Sequence, residues 1–263
     1  MNRSRLTVVR SAVPVGVAAF AALALAGCGG SSSNGGASGQ SPAGGSSPTA
    51  THSSASTGPG NSVTTDSYFP LAAGETWVYK DTLGTAGGTT INKMTAVIPT
   101  SAGQQATMTS TVSYPVKKTT KETLIFRPDG SIAIPLTQLG ASVKIVSGSV
   151  AWPSAADLAS GQAHTSTIVM KIAEAGVDKT ITMPVTVKGE GTVSVTVPAG
   201  TYQATLINEG MTTSVDGYKI TMAVRTWVAN GVGPVKSEVF SSALGGSSST
   251  PLSTEVLESF TKG

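Results

Sequence analysis

Cysteine occurs once in these 263 residues, at Cys28, and histidine twice, at His52 and His164. One thiol cannot close an internal disulfide, so the folded part must hold together through its core even in an oxidising compartment. Zinc-type sites need several His or Cys at local spacing, and none are available. A Ser-His-Asp arrangement would have to use His164, and no Gly-x-Ser-x-Gly elbow accompanies it. The acids Asp157, Glu174, Asp178, Glu190, Glu209 and Asp216 are scattered, mostly near turns, and offer no pair for acid-base chemistry. Neither catalysis nor a metal or cofactor is expected. "GVGPVK", Gly231 to Lys236, lacks the spacing of a phosphate loop and is expected to be a hairpin turn.

Charge is also scarce, at 12% of residues, and unevenly placed. Arg3, Arg5 and Arg10 precede an apolar, Ala/Gly-rich run from Ser11 to Gly27, with no acid in either. A basic start, a short apolar core and small exit residues describe a secretory signal; a membrane span needs about 20 apolar residues. "LAGC", Leu25 to Cys28, resembles the bacterial lipobox, which implies cleavage between Gly27 and Cys28 and lipidation of the Cys28 thiol. An ordinary secretory signal or a plain membrane anchor is the alternative. Two acyl chains anchor a protein far better than one, each buried CH₂ contributing about 0.8 kcal/mol. Loss of the three signal arginines takes the 17 Lys+Arg to 14, against 14 Asp+Glu, so the mature chain is neutral. The basic footprint of a nucleic-acid binder is missing.

Residues 29–65 contain Gly, Ser, Ala, Thr, Pro, Asn and Gln with only His52 and Val63 besides, and no charge. Such composition cannot offset the entropy of ordering, and a tether of roughly 30 to 37 Å reach is expected. The chain thus divides into a signal peptide over 1–27, a lipidated cysteine and linker over 28–65, and one β domain over 66–263.

Within that domain the hydrophobic pattern has period 2. Ile181, Met183, Val185 and Val187 alternate with Thr180, Thr182, Pro184 and Thr186, and Tyr218, Ile220, Met222 and Val224 alternate with Lys219, Thr221, Ala223 and Arg225. Half-buried strands follow. Turn signals at Asp129-Gly130, Glu174–Asp178, Lys188–Gly191, Asp216-Gly217 and Asn230–Gly233 join them as hairpins. Pro99, Pro115, Pro135 and Pro184 are expected at edges and bulges. One short helix is predicted within Trp152–Gly161, capped by Ser154 and ended by Gly161. The expected fold is all-β, an antiparallel meander forming a curved sheet or half-barrel with little helix.

"YFPLAAGETWVY" (Tyr68 to Tyr79), "VTVPAGTYQATLI" (from Val195) and "RTWVANGVGPVKSE" (from Arg225) resemble paired motifs of exported bacterial β-domains. That group is similar in architecture to the lipoprotein-carrier superfamily, which includes lipid-binding lipoproteins. The resemblance implies a half-barrel over an apolar cavity, faced by Trp77, Ile181, Met183, Val185, Tyr218, Ile220, Met222 and Trp227, with Trp152–Gly161 as a cover. For Trp77 and Trp227, burial in the core explains the residues without a ligand. Two functions remain open. One is a membrane-anchored exported lipoprotein binding a lipid or other hydrophobic ligand; the other is a structural or cell-wall interaction lipoprotein without a cavity.

Overall fold

The computed structural model describes residues 68–263 except 85, 115, 136–137, 141–142, 175–176, 216–217 and 243–249; the side chains of 138–140, 143, 172–174, 177–178, 215, 218–220 and 242 also lie outside it. The expected signal peptide, Gly27, Cys28 and the linker fall outside the described residues. Of those described, 75% are in strands, which form one antiparallel sheet nearly closed into a barrel, with almost no helix.

In chain order the strands are β1 (Thr76–Leu83), β2 (Ala86–Thr100), β3 (Gly103–Val112), β4 (Lys118–Phe126), β5 (Ile132–Pro135), β6 (Gln138–Gly140), β7 (Val143–Ser147) and β8 (Ser149–Trp152). After a helix, α1 (Ala155–Ser160), come β9 (His164–Glu174), β10 (Val177–Val197), β11 (Gly200–Val215), β12 (Tyr218–Ala229), β13 (Gly233–Ser242) and β14 (Ser253–Thr261). β9 to β14 follow one another across the sheet, and β14 then pairs with β1, which leads on through β2, β3, β4 and β5 to β8. The last strand therefore joins the two meanders.

Closure depends on one short stretch. β7 pairs with β9 at one side of the sheet, while β8, the next strand in the chain, pairs with β5 at the other. Between them Gly148 takes φ +98°, and a Cβ there would collide with the Thr167 carbonyl. Only glycine adopts this conformation at such close approach. Residues 143–152 thus act as a strap joining both sides.

The alternation in β10 is as expected: Ile181, Met183, Val185 and Val187 are buried and their neighbours lie on the outer face. That outer face carries Thr–Thr hydroxyl pairs across strands, at Thr165–Thr186 (3.3 Å), Thr196–Thr201 (2.9 Å) and Thr111–Thr119 (3.0 Å). Such pairs favour a wet sheet surface without adding charge.

Two expectations need correction. Lys188–Gly191 does not turn the chain; β10 runs straight through it, with the register to β11 shifting between Gly189 and Thr192. The glycines answer to packing, because a Cβ on Gly189 would overlap the Leu158 carbonyl of α1, and Gly191 has φ +91°. Pro184 likewise lies inside β10, opposite Thr167, rather than at an edge. The β10–β11 ladder begins one residue later, at Val185, so the missing proline N–H breaks no bond there.

Helix α1 forms as the sequence indicates. Ser154 caps it, its hydroxyl accepting from the Asp157 N–H at 3.2 Å and donating to Asp157 Oδ2 at 2.7 Å, and Gly161 ends it at φ +70°. Leu158 is its buried residue and fixes it against β10.

Candidate ligand site inside the barrel

An enclosed sheet has one inner wall, and its character changes along the barrel. At one end it is plugged by aromatics. Phe69 packs edge-on to Trp77 (centroids 6.0 Å apart) and Phe126 (6.2 Å), and tilted against Trp152 (6.1 Å). Trp77 also stacks on Phe260 at 5.4 Å. Each polar tip is satisfied: Trp77 Nε1–H donates to the Val232 carbonyl (2.6 Å), the Tyr79 hydroxyl to the Pro234 carbonyl (2.9 Å), and the Tyr68 hydroxyl to the Ala155 carbonyl (3.1 Å). Burial of large amphipathic rings with their polar atoms paired makes a firm plug.

The middle of the wall is apolar and rich in methionine. All six methionines after Met1 are here, and none is more than 3% exposed: Met94 faces Met108 across β2–β3, Met211 faces Met222 across β11–β12, and Met170 and Met183 sit beside Ile181 and Ile168. One acid intrudes. Glu209 Oε1 accepts the Trp152 indole N–H at 3.1 Å, its Oε2 has no partner, and burial pushes its carboxyl up to about 8.

Among the residues expected to face a ligand, Trp77, Ile181, Met183, Val185 and Met222 are on this inner wall and buried. The side chains of Tyr218 and Ile220 lie outside the described ones; their backbone is in β12. Trp227 must be corrected. It is out of phase with Met222 and Val224, lies half-buried on the outer face, and has Lys236 Nζ 4.6 Å above its ring. The period of 2 that puts residues 222 and 224 inside puts 227 outside. Next to it, Lys236 pairs with Glu238 at 2.8 Å and Arg225 covers Phe240 at 5.0 Å.

Beyond the middle the wall becomes polar, with Asp81, Asn92, Ser110, Glu122 and Glu255. Sequence scanning missed this zone. Its three acids come from distant positions on the chain, and only the barrel brings them together. No group of three or more His, Cys, Asp or Glu among the described residues is arranged to hold a metal ion.

The three motifs that resembled exported β-domains meet at the plug. Trp77 and Tyr79 of the first hold Val232 and Pro234 of the third, and Phe69 lies against Gly233, where a Cβ would approach its ring to 3.3 Å. The second is tied in by the Ala199 N–H, which donates to the Leu257 carbonyl at 3.0 Å. "GVGPVK" forms the β12–β13 turn and the start of β13, as expected.

The chain belongs to the DUF3108-like family, which it matches over residues 74–252. Two solved structures share the fold. A candidate lipoprotein from Parabacteroides distasonis ATCC 8503 superposes with a TM-score of 0.56 at 18% identity, covering 74% of this chain and 99% of the other. A candidate exported protein with a YmcC-like fold, from Bacteroides fragilis NCTC 9343, does so with a TM-score of 0.53 at 17% identity, covering 75% and 100%. No curated protein matches the chain.

Proposed function

We propose that this protein is an exported lipoprotein, anchored to the bacterial cell membrane through Cys28 and facing the wall or periplasm, whose barrel binds a lipid or similar hydrophobic ligand without turning it over. The methionine lining carries this reading. A rigid core is best filled by Leu, Ile, Val and Phe with well-defined rotamers. Methionine is unbranched, polarizable and repacks at low cost, which suits a wall that must close when empty and open around a guest. The similarity to a candidate lipoprotein and a candidate exported protein supports the cellular setting, as does the Leu25–Cys28 motif.

A second reading has its own observation. The inner-wall methionines are already buried, which suits a structural or interaction domain with a filled core. The two differ in stability linkage. A ligand that binds only the folded state adds about 2.7 kcal/mol at 100 times its dissociation constant. The chain carrying Cys28→Ser is to be purified, extracted with organic solvent and searched for stoichiometric lipid by mass spectrometry, and the stripped protein melted with and without lipid added back. Retained lipid and a raised midpoint support the binding reading; no lipid and an unmoved midpoint across several classes leave the structural one. Intact mass of the membrane-extracted protein tests the anchor, which requires a chain beginning at Cys28 with added acyl mass.

A further inference from the structure

The polar zone of the inner wall is a continuous cluster. Asp81 and Glu255 are register partners on β1 and β14, within side-chain hydrogen-bond reach of each other, and Ser237 of β13 faces Glu255 from the other side. The Thr90 hydroxyl donates to Asp81 Oδ2 at 2.6 Å. Two residues along β2, Asn92 faces Ser110, which faces Thr120 on β4, two residues before Glu122. The charge of Glu122 is felt in turn by Glu255.

The cluster has no cationic donor among the described residues, and its Ser110 and Ser237 hydroxyls reach no partner. Asn92, Ser110 and Ser237 are 2%, 0% and 1% exposed, and Asn92 Oδ1, Ser110 Oγ and Ser237 Oγ have no partner. Glu122 Oε2, Asp81 Oδ1 and both Glu255 carboxyl oxygens have none either. Buried polar atoms without a partner are rare in folded interiors, and several gathered in one place require an explanation. Among the described residues no basic side chain supplies one. Lys80, Lys93, Lys118 and Lys121 on these strands are exposed, and Lys236 is committed to Glu238 and Trp227 on the outer face. The remaining titratable neighbours are Tyr79, whose hydroxyl donates to Pro234, and Glu258, which adds negative charge near Asp81.

We infer that this cluster is a binding site for a protonated amine, whose ammonium hydrogens are accepted by Asp81, Glu122 and Glu255, with Asn92 and Ser110 behind them. An ammonium group is a compact cation with up to three donors, which matches a set of acceptors without a counter-charge. A hydroxylated neutral ligand would satisfy some of these atoms but leave the carboxyls uncompensated. Burial holds Glu122 near 7 and raises Asp81, and burial with the neighbouring acids raises Glu255, so the empty site keeps protons that free carboxyls would release. When the amine enters, a carboxyl O–H ionises, its proton passes to the buffer, and N–H···O⁻ bonds replace it. The site borders the methionine-lined wall, Glu122 facing Met108 across β3–β4, and does not require that wall to bind lipid.

The test is calorimetric titration of the full chain carrying Cys28→Ser with ethanolamine and spermidine, at pH 6 and pH 8, in two buffers of different ionisation enthalpy. Only the ionised site is competent, and Glu122 passes from about one-tenth to nine-tenths ionised over this range, so affinity is expected to rise about tenfold. Protons are expected to be released, the rise with pH is expected to vanish in Glu122→Gln, and affinity is expected to fall in Glu255→Gln, while Glu258→Gln retains both the rise and the affinity. If one glutamine variant does not fold, the other decides. No binding by either amine, binding independent of pH, or binding unchanged in the Gln variants overturns the proposal, as does equal binding of glycerol. Amine binding by a chain that retains no lipid would uphold this site and count against the apolar-ligand reading alone.

Discussion

The indole nitrogen of Trp77 and the carbonyl oxygen of Val232 lie 2.6 Å apart although 155 residues separate them. The bond ties the first strand to the β12–β13 turn, and Tyr79 repeats it two residues on, donating to Pro234. An aromatic-rich opening and a distant Gly-Val-Gly turn occur together because one hooks onto the other. Trp77→Phe keeps most of the ring but leaves the Val232 carbonyl without its donor. A loss of about 1 to 3 kcal/mol is expected in urea unfolding with the slope unchanged, and Tyr79→Phe should behave alike. Wild-type midpoints in both variants would show that these bonds do not hold the plug.

Buried acids give stability a pH dependence of definite sign. Glu209 has an ordinary carboxyl near 4.5 when unfolded and about 8 when folded; for Glu122 the folded value is about 7. Between these limits the folded protein keeps protons that the unfolded chain has released, so stability is full below about 4.5 and falls as pH rises toward 8. Asp129 and Glu190, both held low by their partners, act only in the acid range below their ordinary values. Glu209→Gln retains an acceptor for Trp152 and removes the ionisation, so its midpoint should exceed wild type at pH 8 and approach it at pH 4.5. At roughly 2 to 4 °C per kcal/mol the difference is measurable by thermal scans. A wild-type midpoint that climbs from pH 5 to 8 would contradict this.

Glycine positions separate packing from turn formation. Gly189 faces the Leu158 carbonyl of α1, whereas Gly210 on β11, opposite Thr186, has nothing within 4 Å of where a Cβ would stand. Gly189→Ala must push the helix off the sheet and should cost about 1 to 3 kcal/mol. Gly210→Ala should be near neutral. Equal effects in chemical denaturation would mean that α1 is not seated on β10 as described.

The same residues show how far the sequence can be read. Period-2 alternation sufficed for β10, and Ser154 with Gly161 sufficed for α1, because both signals are local. "KGEG" misled because a glycine required by a helix pressing on a strand has the same letters as a glycine required by a turn. Trp227 was placed inside by its size, against its own phase relative to Met222. The carboxyl cluster was illegible for a different reason. Asp81, Glu122 and Glu255 are far apart in the chain, and their meeting depends on strand order and register, which no short window contains.

Closure of the barrel rests on Gly148, which turns residues 143–152 from β9 to β5. At φ +98° an alanine is strained, and its Cβ would also overlap the Thr167 carbonyl of β9. Relief requires β7 to leave β9 or β8 to leave β5, and either opens the strap without touching the β1–β4 meander. Gly148→Ala is therefore expected to lower stability by about 1 to 3 kcal/mol. Amide exchange should quicken in β7, β8 and the facing part of β9 while β1 to β3 keep their protection. A uniform rise in exchange over all strands would show instead that the sheet unfolds as one unit and that the strap has no independent opening. Unchanged exchange together with unchanged stability would refute the close approach of Gly148 to Thr167.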